Sequence, residues 1–200
     1  MKGGAAVILL SALSVLTAYL LGSIPSAYIV GRLLKNVDMR EVGDGRIGAS
    51  YSFRRLGFIG GLVVIIMDVG KGVAAVWLAR ILSAELVIIL MAALAVVVGH
   101  NWSIFMRFKG GKGAATTYGA LAALIFWQLI IGLSIAGIVY FLTHKPGLST
   151  GVMFGMLPLV LWMWGLAIMV VIFPVFLSLP MVLKHRLMIR NERRTDSLSL

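Results

Sequence analysis

Two glycine-rich stretches carry basic residues at spacings suited to anions. Residues 43–48 read G-D-G-R-I-G, and residues 108–116 read F-K-G-G-K-G-A-A-T. Gly43, Gly45 and Gly48 tolerate positive φ, so successive backbone N–H groups can converge into a concavity that binds an anion. Asp44 and Arg46 are the polar residues between them, and Ser50 follows. Arg54 or Arg55, a few residues on, has the planar fork that grips a phosphate through two bonds. The G-x-G-x-x-G pattern is also that of a dinucleotide loop, but no strand precedes it. The acid twenty residues on, Asp68, falls inside an apolar run. In the second stretch Gly110, Gly111 and Gly113 surround Lys112 at the start of an expected helix. Backbone donors, the helix dipole and one ammonium there suffice for a phosphate. The spacing is not that of a P-loop. A plain turn with topology-setting lysines is the alternative.

Other chemistry is sparse. Asp68 and Lys71 lie three apart inside one apolar run, hence on one helix face. They either orient a loop or substrate, or neutralise one another and fix packing; the second reading is favoured. His100 follows Gly99 at the end of a run, where a general base or a packed histidine is possible. Ser23 and Ser26 flank Pro25 in G-S-I-P-S-A-Y, a break in the first helix from which a serine can reach a ligand. His100, His144 and His185 lie on separate elements without adjacent carboxylates, a poor zinc set. The chain has no cysteine, which excludes disulfides and thiolate metal sites.

The elements that carry these residues are membrane spans. Of 200 residues, 60% are hydrophobic and only 12% charged, about half the charge of an ordinary soluble domain. Apolar runs cover 5–22, 58–80, 86–105, 114–142 and 149–183. The first is read as a retained span and not a cleaved signal, since no small-residue cleavage site follows it. The last would be about 50 Å long as a straight helix, against about 30 Å of hydrocarbon, so it is expected to turn near Gly165.

The net charge of +11 lies on one side. Lys and Arg cluster in 32–55, in 107–112, at Lys145 and in 184–194. The positive-inside rule assigns these segments to the cytoplasm. All four can share that side only if 114–183 crosses an even number of times. With the last run split, the 114–142 run must split too. The expectation is an all-α polytopic bundle, residues 1–200 forming one integral-membrane domain of about seven transmembrane helices. Its N-terminus is outside and its C-terminus cytoplasmic. Anionic lipid contact accounts for the basic face, and nucleic acid is not expected, since no aromatic-rich basic module lies outside the membrane.

Taken in order, the motifs form a specific set. They run G22-S-I-P25, G43-x-G45-x-x-G48-A49, R54-x-x-G57, D68-x-x-K71-G72, G99-H100 and F108-K-G-G-K-G113-x-A115-T116. This order resembles the bacterial acyl-phosphate:glycerol-3-phosphate acyltransferases, the PlsY family, from about residue 20 to 120 and more faintly to 186. The resemblance implies transfer of a fatty acyl group from acyl phosphate to glycerol 3-phosphate, making lysophosphatidic acid for phospholipid synthesis. It implies a bacterial inner-membrane protein with a cytoplasmic active face, and neither metal, coenzyme A nor other cofactor. Carried over residue by residue, it gives Arg54 and Lys112 the phosphates and the 43–48 glycines the backbone donors. Ser149 matches a serine of the family's later loop, and His185 its tail histidine. The usual loop reads G-S-G-N-x-G-A-T-N, where this chain has Asp44, Arg46, Ser50 and Tyr51. Two other readings stand beside this one. One is a diverged relative that binds a phosphorylated lipid or metabolite without this transfer, or acylates another acceptor. The other, ranked last, is a small transporter built around Asp68 and Lys71.

Overall fold

The computed structural model describes residues 2–39 and 48–196, with side chains for 6–39, 48 and 51–190. All regular structure among them is helical: α1 (Lys2–Ser23), α2 (Ser26–Lys35), α3 (Ala49–Leu82), α4 (Leu86–Asn101), α5 (Ala114–Thr143), α6 (Pro146–Met163) and α7 (Ile168–Asp196), with a single 3-10 turn at Ile104–Met106. Six of the described segments are long and apolar enough to cross a bilayer. The outward surface is correspondingly apolar: Phe58, Trp77, Phe141 and Trp162 are all more than half exposed. In hydrocarbon only a helix satisfies its backbone within one segment, which is why a chain of this composition forms little else.

The breaks in these helices have local causes in three places. Pro25 cannot donate to the ladder, so α1 stops at Ser23 and α2 begins anew at Ser26. Gly165, at φ 71°, makes the expected turn between α6 and α7. Gly57, at φ 80°, interrupts α3, so that 49–56 form a short arm carrying Arg54 and Arg55 ahead of the span proper. The basic segment 32–57 is therefore partly helical, at 32–35 and from Ala49 onward.

The fourth break has no local cause. Ile125, at φ −142° and ψ 54°, lies outside helical space in the middle of α5. Neighbouring residues of α6 reach both sides of it. Ser149 Oγ donates to the Ala136 carbonyl, and the Thr150 side chain lies near the Tyr118 hydroxyl. In a straight helix Tyr118 and Ala136 would stand about 27 Å apart, beyond the reach of two adjacent residues. The two arms of α5 therefore fold back on each other at Ile125. Both ends of α5 lie at the end of the bundle that holds the start of α6.

The core fills the space between α4, both arms of α5, α6 and α7, with Val96, Val97, Leu121, Met153, Leu157 and Leu177 fully buried. Without a hydrophobic force between helices in lipid, close backbone approach matters more than bulk. Gly99 shows this: a Cβ there would meet the Tyr19 carbonyl of α1. A smaller second core of Ala27, Val30, Met39, Tyr51, Leu56, Val64 and Met106 seats α2 and the arm of α3 at one end of the bundle.

Candidate active site

The site grows out of the α1–α2 break. Interrupting a helix frees backbone carbonyls that must find donors elsewhere. Lys71 Nζ on α3 reaches the Ile24 carbonyl at 3.1 Å. Ser103 Oγ, just past α4, donates to the Ser23 carbonyl. Two residues from different parts of the chain are thus drawn to one gap.

Asp68 is the hub beside it. Its Oδ1 accepts from Ser26 Oγ at 2.7 Å and pairs with Lys71 Nζ at 2.9 Å. His100 Nδ1 stands 3.5 Å away, and 3.2 Å from Thr116 Oγ1 on α5. Both charged side chains are almost wholly buried, Asp68 at 4% exposed and Lys71 at 6%. Burying either group in so apolar a setting is costly unless the other stands beside it. The junction ties α2, α3, α4 and α5 at one point, as the mutual-neutralisation reading of the pair expected, while His100 and Ser26 bring it to the edge of a cleft.

The rest of the cleft comes from the segment between α4 and α5. The Ser103 carbonyl accepts from the amides of Met106 and Phe108, which coils the chain tightly. Arg107 and Phe108 both take positive φ, at 51° and 61°, a strained conformation for side-chain-bearing residues. The chain then runs through Lys109-Gly110-Gly111, which lines the cleft together with Ser23, Ser26 and His100, with Gly48 also on its wall. Gly110 fits only because it lacks a Cβ, which would run into the His100 carbonyl. The open space among these residues is about 300 Å³ including its mouth.

The residues singled out from sequence fall into groups. Ser23, His100, Gly48, Gly110 and Gly111 line the cleft. Gly113, at φ 82°, caps α5 and packs on Asn101 just behind it. Arg54 and Lys112 are exposed on the segments that carry Gly48 and Gly111. His185 is exposed on α7. Ser149 is buried against the second arm of α5, bonded to Ala136, and does not line the cleft. Gly43, Asp44, Gly45 and Arg46 lie outside the described residues, as does the side chain of Ser50.

Ser103, Lys109 and Thr116 were not assigned a site role from sequence, and Ser26 was named there only beside Ser23 as a serine able to reach a ligand. For Ser26 the signal was its place next to Pro25; Lys109 had its place in the glycine-rich stretch. Thr116 closes that same stretch, while Ser103 had no signal, since it acquires its partner from another part of the chain. No cluster of three metal-ligating side chains occurs among the described residues.

Comparison with known proteins gives a consistent result. The family model described as glycerol-3-phosphate acyltransferase matches residues 12–194. A glycerol-3-phosphate acyltransferase of Endomicrobium trichonymphae is 36% identical over 96% of this chain and 98% of its own length. Glycerol-3-phosphate acyltransferase 2 of Moorella thermoacetica is 49% identical over 62% of this chain, a match that spans 65% of the Moorella protein. The crystal structure of PlsY (YgiH), an integral membrane glycerol 3-phosphate acyltransferase in its glycerol 3-phosphate form, superposes with a TM-score of 0.77. That match covers 94% of this chain and 92% of that one at 28% identity. The lysophosphatidic acid form superposes equally well.

Proposed function

The chain belongs to the glycerol-3-phosphate acyltransferase family, and on that footing we propose that it transfers a fatty acyl group from acyl phosphate to glycerol 3-phosphate, forming lysophosphatidic acid. The observation that carries this reading is the cleft itself. A glycine-rich segment with Lys109 faces a buried polar junction at the end of the bundle where basic residues gather.

In the reaction a glycerol hydroxyl oxygen attacks the acyl carbon, and the bond from that carbon to the phosphate oxygen breaks. The hydroxyl proton leaves with the departing phosphate, whose oxygens are basic enough to take it. An acyl phosphate is already activated, so the protein has no need to form a covalent intermediate. Its task is to hold two phosphates side by side and orient the hydroxyl. Backbone amides around Gly110 and Gly111 and the Lys109 ammonium serve the phosphate that enters the cleft. Arg54 and Lys112, on the flanking segments, clamp the outer phosphate. His185 approaches from α7. Ser23, Ser26 and His100 form the inner wall, where the glycerol backbone lies. The acyl chain remains among the helices.

This end of the bundle faces the cytoplasm and the N-terminus lies outside. Arg32, Lys35, Arg54, Arg55, Arg107, Lys109, Lys112 and Lys145 all belong to segments at the cleft end, and Arg80 lies near the far end of α3. That distribution supports the orientation. Six segments are long and apolar enough to span, and counting the two arms of α5 separately is compatible with the seven passes expected from the charge pattern.

The test is turnover by purified protein in lipid nanodiscs supplied with labelled glycerol 3-phosphate and either acyl phosphate or acyl coenzyme A. Product is expected only with acyl phosphate. Product from the coenzyme A ester alone, or none while a known family enzyme is active alongside, refutes the reading. Arg54→Ala and Lys112→Ala are each expected to lower activity about a hundredfold or more.

A further inference from the structure

Lys184 lies on α7 and only 9% of it is exposed, although the next residue, His185, is exposed. A lysine near a membrane surface normally lays its stem on apolar neighbours and keeps its ammonium in water. Here the ammonium is turned inward and stands 5.4 Å from the centre of the Trp102 ring. No carboxylate among the described residues pairs with it; the described ion pairs are Arg32–Asp38 and the Asp68 junction. The face of one indole offsets part of the loss of hydration of a cation and no more. Among the described residues the position therefore lacks an anion.

Its place shows where that anion comes from. Trp102 follows the last residue of α4 and is held by the Tyr19 hydroxyl, which donates to its carbonyl at 2.9 Å. The residues two before and one after Trp102, His100 and Ser103, both line the cleft. Lys184 is thus fixed over the base of the segment that builds the cleft wall. It is close enough to act electrostatically on His100.

We propose that Lys184 is a substrate-binding residue that closes the α7 side of the cleft and pairs with a phosphate monoester. Both substrates of the proposed acyl transfer supply that chemistry, and the inference rests on that function: the partner is the phosphate of glycerol 3-phosphate or that of the acyl donor. With the substrate in place the buried ammonium gains the anion it lacks, and the substrate gains a charge-assisted bond in a site poor in water.

The experiment compares Lys184→Met, which keeps the length and removes the charge, with Lys184→Arg, which keeps the charge. Thermal unfolding in detergent with and without inorganic phosphate or glycerol 3-phosphate reads binding without any acyl donor. Initial rates with each substrate varied in turn read KM and kcat. Lys184→Met should unfold at the wild-type temperature without ligand, lose the stabilisation by phosphate, and raise KM about tenfold or more for one substrate with a smaller change in kcat. Lys184→Arg should restore most of both. The substrate whose KM moves is the one whose phosphate Lys184 holds. Unchanged phosphate stabilisation together with unchanged KM for both substrates overturns the proposal. If Lys184→Met does not fold, Lys184→Gln replaces it in the same comparison. Loss of folding in Met, Gln and Arg variants alike marks the residue as structural and also overturns the proposal. Loss of turnover with acyl phosphate alone would strike at the donor, leaving the phosphate and glycerol 3-phosphate measurements to judge Lys184.

Discussion

Replacing Asp68 by alanine should be among the most damaging single changes in the bundle, and the structure says by how much. The carboxylate is the only acidic partner of Lys71, at 2.9 Å, among the described residues; it also accepts from Ser26 at 2.7 Å and lies 3.5 Å from His100. Without it the Lys71 ammonium, 6% exposed, keeps only the Ile24 carbonyl. Leaving one member of a buried ion pair unpaired costs about 3–5 kcal/mol. Lys71→Met should cost a similar amount, since it strands the carboxylate. The double variant Asp68→Ala/Lys71→Met removes both charges and should cost well under the sum, with a coupling energy of about 2–3 kcal/mol. Unfolding in mixed micelles of rising dodecyl sulfate content, followed by tryptophan fluorescence, measures all four corners of the cycle. Single costs that simply add, to within about 0.5 kcal/mol, would refute the account of Asp68 as the counter-charge of a buried junction.

Three further changes test other parts of the structure. Gly110→Ala forces a Cβ onto the His100 carbonyl and should cut turnover at least about tenfold, as backbone must move at the cleft wall. Gly147→Ala, where a Cβ meets nothing within 4 Å, should leave turnover unchanged; equal effects would contradict the close approach. The chain has no cysteine, so single cysteines at Arg107 and His144 can be labelled by a membrane-impermeant maleimide from either side. Both should react from the same side, and opposite sides would rule out the fold-back at Ile125. Ser149→Ala removes one buried bond to Ala136 and should cost about 1 kcal/mol of stability with KM unchanged. A large rise in KM would instead place the Ser149 hydroxyl on a substrate.

Much of the architecture was legible one residue at a time. Composition and the lengths of the apolar runs pointed to a helical bundle in lipid, because a continuous apolar segment satisfies its own backbone there only as a helix. Pro25 and Gly165 marked breaks by their own stereochemistry. Asp68 and Lys71, three apart in an apolar run, had to share a helix face, and they do pair. The grouping of basic residues raised the expectation that the 114–142 run returns to the side it left, and α5 does break within that run. The sequence could not say where, because Ile125 is neither proline nor glycine. The bend follows from how α6 bridges the two arms, through Thr150 to Tyr118 and Ser149 to Ala136.

The sequence by itself determined which segments are long and apolar enough to cross a membrane and the family to which the order of its motifs points. Only the tertiary structure decided which residues meet. Ser26, Ser103, Lys71 and Thr116 come together because a proline break exposes carbonyls that other helices must satisfy, and because glycines let those helices approach closely. Lys184 reads in sequence as one more basic residue of a cationic tail. Its inward turn against Trp102 depends on how α7 packs on α4, and no local pattern along the chain encodes that contact.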